Sequence, residues 1–280
     1  SFTMPSMGQM FSSDIKLGSV RDIESSVFVR QAQIGNADLK PAESTNTNFG
    51  LIYGNNGNRL SFDYWEIDFE NRIEGQSAQA LLSEDPFGPS ITRNELGDLI
   101  GVTTTYFNEE STVLSGIDYG LSTVKSFFNG EVELILQGTN LIEFLTPEQS
   151  ENGTIMINRV GKHNFDAHTH SLPKNRINTF INYKKNKSKY SLIARYLDGY
   201  INNRTISSKA LSLGYKNKVD SSLIFDISLE LPISQYLQIN NNSGDYDLKT
   251  SIGIINLFDE KAPRLYLSLI HISEPTRPGH

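Results

Sequence analysis

Between residues 219 and 231 apolar and polar side chains alternate, with Ser221 and Ile224 as the two exceptions. Val219, Leu223, Phe225, Ile227, Leu229 and Leu231 fall on odd positions, while Asp220, Ser222, Asp226, Ser228 and Glu230 fall on even ones. Period two is the signature of a strand with one oily and one polar face. The stretch 131–140 repeats it, with Val132, Leu134 and Leu136 against Glu131, Glu133, Gln137 and Thr139. The pattern predicts eight long strands, at about 44–54, 58–70, 111–126, 131–145, 175–184, 189–201, 218–232 and 247–259. Helical spacing is nowhere sustained. In the second strand Leu60, Phe62 and Tyr64 share one parity and Ile67 and Phe69 take the other. A bulge at Tyr64-Trp65 produces such a shift, and so does emergence of the strand from a hydrocarbon layer.

The connections alternate in length. Asn55-Asn56-Gly57, 127–130 and 185–188 are tight, 234–246 is of medium length, and 71–110, 146–174 and 202–217 are long. Asn and Gly in the tight turns tolerate positive φ. Elaboration at one end of an up-and-down meander is the arrangement of outer-membrane barrels, because in lipid only a closed sheet pairs every backbone group of a strand. The expected fold is therefore all-β, an antiparallel up-and-down transmembrane β-barrel, present in part as roughly 8–10 strands of a larger barrel.

Composition narrows the function classes. Mean hydropathy is −0.35 and net charge −7 over 280 residues, and no apolar run approaches the length of a spanning helix. An acidic chain is a poor general binder of nucleic acid, and the absence of cysteine removes disulfide and thiolate chemistry. Twelve Tyr and fifteen Phe suit interfacial girdles, with Tyr53, Tyr64, Trp65, Tyr106, Phe107, Phe127, Phe128 and Tyr200 near strand ends; packing in a soluble core is the plainer alternative.

SFTMPS, NADLKPAES, FDYWEIDFENRI, SGIDY, LPKNR and NLFDEKAP follow one another along the chain, and these six phrases, in this order, resemble the C-terminal barrel half of TonB-dependent outer-membrane receptors. SFTMPS at 1–6 resembles the family's S-F-R-x-P-S, and NADLKPAES at 36–44 its N-P-x-L-K-P-E-x-S. FDYWEIDFENRI at 62–73 is similar to D-Y-W-x-I-D-Y-x-x-x-I, and SGIDY at 115–119 to S-G-I-D-F. Leu172-Pro173 with Arg176 resembles L-P-x-x-R, and residues 256–263 resemble N-L-F-D-x-x-P-P. Thr3, Ala37 and Ala262 depart from the usual arginine, proline and proline. The resemblance implies a receptor for a scarce extracellular nutrient, a ferric siderophore foremost or else cobalamin or an oligosaccharide, in the Gram-negative outer membrane. Its partners would be that ligand, outer-membrane lipid and the TonB complex, reached through a plug domain that this chain does not contain. The expected organisation is partial receptor barrel over 1–266. LSLIHISEPTR, from Leu267, resembles the translation of a sequencing adapter, so 267–280 is expected to be a non-native tail lacking the closing strand.

Candidate chemistry is sparse. His163, His168 and His170 lie in GKHNFDAHTH with Asp166, where His-x-His suits a metal or metal-chelate contact in an outer loop if the segment is extended; an ordinary polar loop is the alternative. Asp63, Glu66, Asp68 and Glu70 imitate paired catalytic carboxylates but belong on a strand, as lumen or loop wall. No hydrolase or phosphate-loop motif occurs. The reading is of a protein that is not an enzyme, with no catalytic residue, no metal site and no cofactor, and with its ligand contacts open. Residues 72–98 and 146–174 are the expected cargo-facing surface, with Arg195 as an inward charge. A passive porin and a soluble secreted, glycan-binding β-sandwich are the rival readings.

Overall fold

The computed structural model describes residues 1–22, 25–150, 153–164, 171–202, 211–233 and 248–263. In chain order the elements are β1 (Phe2–Thr3), α1 (Met7–Phe11), β2 (Ser13–Asp22), β3 (Ser25–Ile34), β4 (Ala42–Asn55), β5 (Asn58–Gly75), α2 (Ala78–Glu84), β6 (Ile91–Arg93), β7 (Leu99–Phe127) and β8 (Gly130–Ser150). There follow β9 (Gly153–Asn158), β10 (Asn175–Lys185), β11 (Ser188–Leu197), β12 (Tyr200–Ile201), β13 (Lys218–Val219), β14 (Ser222–Pro232) and β15 (Lys249–Ile254). One antiparallel path runs β1-β4-β5-β7-β8-β10-β11-β14-β15 and does not close on itself.

Paired residues share a face of the sheet, so the register sorts side chains into rows. Leu51, Phe62, Tyr119, Gly138, Ile177, Tyr196 and Leu223 stand abreast across seven strands. Below them come Tyr53, Leu60, Leu121, Leu136, Thr179, Ala194 and Phe225, and then Thr123, Leu134, Ile181, Leu192, Ile227 and Ile254. This oily face is bare: Phe49, Leu51 and Ile252 are each about two-thirds exposed. The alternate positions are mostly polar, with Ser61, Gln137, Asn178 and Arg195 in one row and Asp63, Asp118, Thr139 and Arg176 in the next, while Ile135, Phe180 and Ile193 stand abreast in an apolar row between Ser122 and Asp226. A sheet with a continuous apolar outer band and a polar inner face is a barrel wall. A sandwich needs a second sheet over the oily face, and among the described residues the only other sheet is the two-stranded β12–β13 pair.

Polar tyrosine heads mark the edges of the band. Toward the long-loop end, Tyr64 Oη donates to Glu66 at 2.5 Å and Tyr196 Oη to Asp198 at 2.8 Å. At the short-turn end Tyr183 Oη donates to the Phe128 carbonyl at 3.1 Å. Asn56, Phe128, Asn129 and Asn186 take positive φ in the tight turns, the conformation that Asn tolerates best. The phase change in β5 comes from emergence. Its register with β4 and β7 passes through Tyr64 and Trp65 unshifted, and the only slip nearby is in the β7–β8 ladder at Ser115/Gly116. Above Tyr64 the outer positions are Glu66, Asp68 and Glu70, while Ile67 and Phe69 turn inward.

Beyond the band lies structure that the alternation does not announce. The hairpin β2–β3 stands over the long-loop end, and β3 pairs in parallel with the upper part of β7, Arg30 to Gly101 through Ile34 to Thr105. Strand β6 lines β7 as well, and α2 covers the junction. Val20, Val29, Ala78, Leu82, Leu99 and Val102 form the one cluster of buried apolar residues among the described residues. Expected strands also need correcting in length. β7 begins at Leu99 instead of 111, the 189–201 strand stops at Leu197, and the 218–232 strand breaks at Asp220-Ser221. Gly199 sits against the Val219 carbonyl there, where β12 and β13 make their own small ladder. The tail 267–280 lies outside the described residues.

Candidate ligand-facing surface

The long-loop end is built in two parts. The first joins the β2–β3 hairpin to residues 72–98. Arg93 binds Asp22 through both terminal nitrogens, at 2.8 and 2.7 Å. Its other N–H groups donate to the carbonyls of Pro86 and Gly97, and its guanidinium lies 4.8 Å from the Phe87 ring centroid. The hydrogen bond and charge of Arg93 hold the Asp22 carboxyl below the usual carboxylate range. Arg72, at the foot of this part, donates to Glu109 at 3.0 and 2.6 Å, pairs with Glu74 at 2.5 Å and lies 5.5 Å from the Phe144 ring centroid. Thr112 also donates to the buried Glu109, at 2.6 Å. Thus two arginines of the expected cargo-facing segment are committed to holding the protein together. Between the hairpin and α2 a cavity of about 310 Å³ remains, lined by polar groups that include Lys16, Gln31, Gln33, Glu74 and Gln76.

The second part knits 159–164 and 171–174 to 198–202. Arg159, nearly buried, donates to Thr146 Oγ1 at 2.9 Å and to Glu148 at 2.7 Å, and its carbonyl accepts from Asn164. Backbone bonds run from Ile201 N–H to the Gly161 carbonyl and from His163 N–H to the Ile201 carbonyl. His163 Nδ1 lies 2.8 Å from Ser171 Oγ, and its ring stacks on Tyr200 at 6.2 Å. His168, His170 and Asp166, the remainder of the proposed metal contact, lie outside the described residues. Among the described residues no three His, Asp or Glu side chains gather as metal ligands.

The inner wall carries the remaining candidates. Arg195 is on the polar face, as expected of an inward charge, and is held by Asp226 at 2.7 and 3.0 Å; Asp226 also accepts the Asn256 N–H. The four acidic residues of β5 do not act together. Asp63 is inward beside Asp118, which accepts from Thr139 at 2.6 Å, whereas Glu66, Asp68 and Glu70 are outward above the band. Trp65 is inward against Gly116, and its indole N–H is buried without an acceptor. The sequence offered no signal for the Arg72–Glu109–Thr112 cluster, whose members meet only through the β5–β7 register. Asp22 and Arg93, 71 positions apart, meet only once the hairpin folds over.

Comparison with known proteins gives the same architecture. The family model described as TonB dependent receptor-like, beta-barrel, matches residues 1–257. The chain is similar in structure to the ferric enterobactin receptor PfeA of Pseudomonas aeruginosa, in a mutant form, with 14% identity and a TM-score of 0.55 over 92% of this chain and 31% of that one. It is similar also to the siderophore receptor PirA of Acinetobacter baumannii, with 17% identity and a TM-score of 0.52 over 92% and 34%. The outer membrane transporter YddB of Escherichia coli matches with 15% identity and a TM-score of 0.50 over 83% and 31%. The chain therefore spans about a third of the length of these structures. No curated protein matches significantly in sequence. The oily outer band, the polar inner wall, the elaborated end and the matched family model agree, and the chain belongs to the TonB-dependent receptors, in whose β-barrel in the Gram-negative outer membrane it forms wall and outer loops.

Proposed function

We propose that this chain supplies wall and recognition loops to an active-transport receptor for a scarce extracellular nutrient, energised through TonB. A ferric siderophore is the foremost cargo, with cobalamin or an oligosaccharide as the other classes. The observation that carries the reading is the long-loop end. Its segments are folded into a packed module with a core of its own and a second knitted layer, which is what shape-specific recognition requires and passive permeation does not. The structural neighbours named for enterobactin and siderophores support the choice of cargo class. In this reading the protein binds and moves its ligand and performs no covalent chemistry.

The test is deletion of the gene in its Gram-negative host, followed by uptake of radiolabelled iron carried by a panel of siderophores. Parallel cultures have TonB deleted or the proton-motive force collapsed with a protonophore. Loss of uptake of the same chelate in all three supports the proposal. Uptake that survives the protonophore but not the deletion favours a passive porin, and unchanged uptake of every chelate, of cobalamin and of oligosaccharides overturns the transport reading.

A further inference from the structure

One face of the β2–β3 hairpin turns toward β7 and α2, and its chemistry changes halfway along. Near the tip it carries Val20, Val27 and Val29, which meet Val102 and Leu82 in the core. At the same alternation the base carries Lys16, Gln31 and Gln33, and Val102 is followed on β7 by Thr104. Polar residues thus occupy positions that the strand period assigns to a core. They enclose the cavity of about 310 Å³ that also receives Ser19, Gln76 and Ser77.

The hydrogen-bonding capacity of that cavity is largely unspent. Gln79 is used twice on the backbone of Arg21, Gln76 Oε1 accepts the Thr105 N–H, and Ser77 Oγ accepts the Ala80 N–H. Among the described residues the side-chain amides of Gln31 and Gln33 have no hydrogen-bond partner, their backbones alone being engaged in the strand ladders. Their amides lie over Gly18 and Gly75, where a Cβ would displace them. Each offers two donors and one acceptor. Charge is nearly balanced, with Lys16 facing a Glu74 that is paired to Arg72.

We infer that this cavity binds a neutral sugar residue. Hydroxyl groups donate and accept, as amides do, whereas an apolar guest would leave two glutamines unsatisfied. A strongly anionic guest would meet one lysine and a carboxylate. The volume lies at the lower end of small-molecule sites and suits one ring in place of a chain. The sugar comes either from a free saccharide or from the lipopolysaccharide around the barrel. The site is independent of the cargo, so its failure leaves the uptake experiment untouched.

The experiment is saturation-transfer NMR on the complete receptor, purified in detergent from a wild-type and from a deep-rough host, with glucose, galactose and N-acetylglucosamine as probes. At least one sugar is expected to bind with a Kd of about 1 mM, since hydrogen bonds alone hold it. The double variant Gln31→Leu, Gln33→Leu weakens it at least tenfold, with heat-modifiable migration reporting that the barrel is folded. Gly18→Ala, whose Cβ would meet the Gln31 amide first, gives a second reading should the double variant misfold. Binding in both preparations identifies a free saccharide, and binding in the deep-rough preparation alone identifies lipopolysaccharide as the occupant. No bound sugar in either, or binding that neither variant weakens, overturns the proposal.

Discussion

Leu82→Ala should open the outer module and leave the barrel wall intact. Leu82 is 3% exposed and lies in α2, a helix of seven residues, too short to persist without tertiary packing. It is clustered with Val20 and Val29 of the hairpin and with Leu99 and Val102 of β7, where the helix, the hairpin and the strand meet. Truncating a buried leucine costs about 2–5 kcal/mol. The cluster has only six buried members; so small a core relaxes in part around a truncation, and about 3 kcal/mol is the expected cost. At 1.4 kcal/mol per decade this is roughly a 100-fold rise in the population of the opened module. Hydrogen exchange with mass spectrometry on the complete receptor in detergent reads it directly, because local opening sets amide protection. Protection across 13–34 should fall by about two decades, while 111–145, whose amides are in the barrel ladder, should be unchanged. Equal loss in both regions would show that the module and the wall unfold as one, and no loss in the hairpin would show that the core does not hold it; either result refutes the reasoning.

Three further outcomes follow from the same structure. The Asp22 carboxyl is held below its ordinary range by Arg93, so its contribution is present above the unfolded pKa and is lost as pH falls through the folded one. Protease nicking of 13–34 on intact cells should therefore stay flat from neutral pH to about 5 and rise only below about 4, and Asp22→Asn should abolish that pH step. Leu136 and Gln137 are neighbours of opposite parity in mid-band. Leu136→Arg should destabilise the barrel by about 2–4 kcal/mol in lipid vesicles and Gln137→Arg by far less, as read by denaturant unfolding; equal effects would mean that the faces are misassigned. Removing the carboxylate in Asp226→Ala leaves Arg195 without its partner and the Asn256 N–H without its acceptor, and exchange at 255–257 should accelerate about tenfold.

How much of this was legible depended on which solvent each residue meets. Within the band one face touches hydrocarbon and the other a mostly polar interior, so 60–64 alternates cleanly, 131–136 and 223–231 do so except at Ile135 and Ile224, and their strands stand where the pattern puts them. The hairpin 13–34 is oily on both faces, with Ile15, Leu17 and Phe28 on one and Val20, Val27 and Val29 on the other. Its alternation is blurred, and it escaped notice. A trace of it existed in the alternating Val27, Val29, Gln31 and Gln33. His163 stood out in sequence for its neighbours His168 and His170, yet the partners described for it are Ser171 and Tyr200, brought to it by loops whose meeting no local pattern encodes.

Strand β7 shows why the two solvents do not yield two separate bodies. Its 29 residues extend about 95 Å at 3.3 Å each, whereas a tilted strand crosses the hydrocarbon in about 9–11 residues. Some two-thirds of β7 therefore stands outside the oily band, mostly on the long-loop side, where a lone strand would expose its backbone groups to competing water. The ladder is instead handed on. β5 accompanies β7 as far as Gly75 opposite Tyr106, and β3 takes over on that edge at Ile34 opposite Thr105. β8 pairs with β7 up to Leu145 opposite Val113, and β6 pairs with it again at Ile91 opposite Val102. Because the same backbone serves both regions, the outer module is set on the barrel by hydrogen-bonded register and not by flexible linkers.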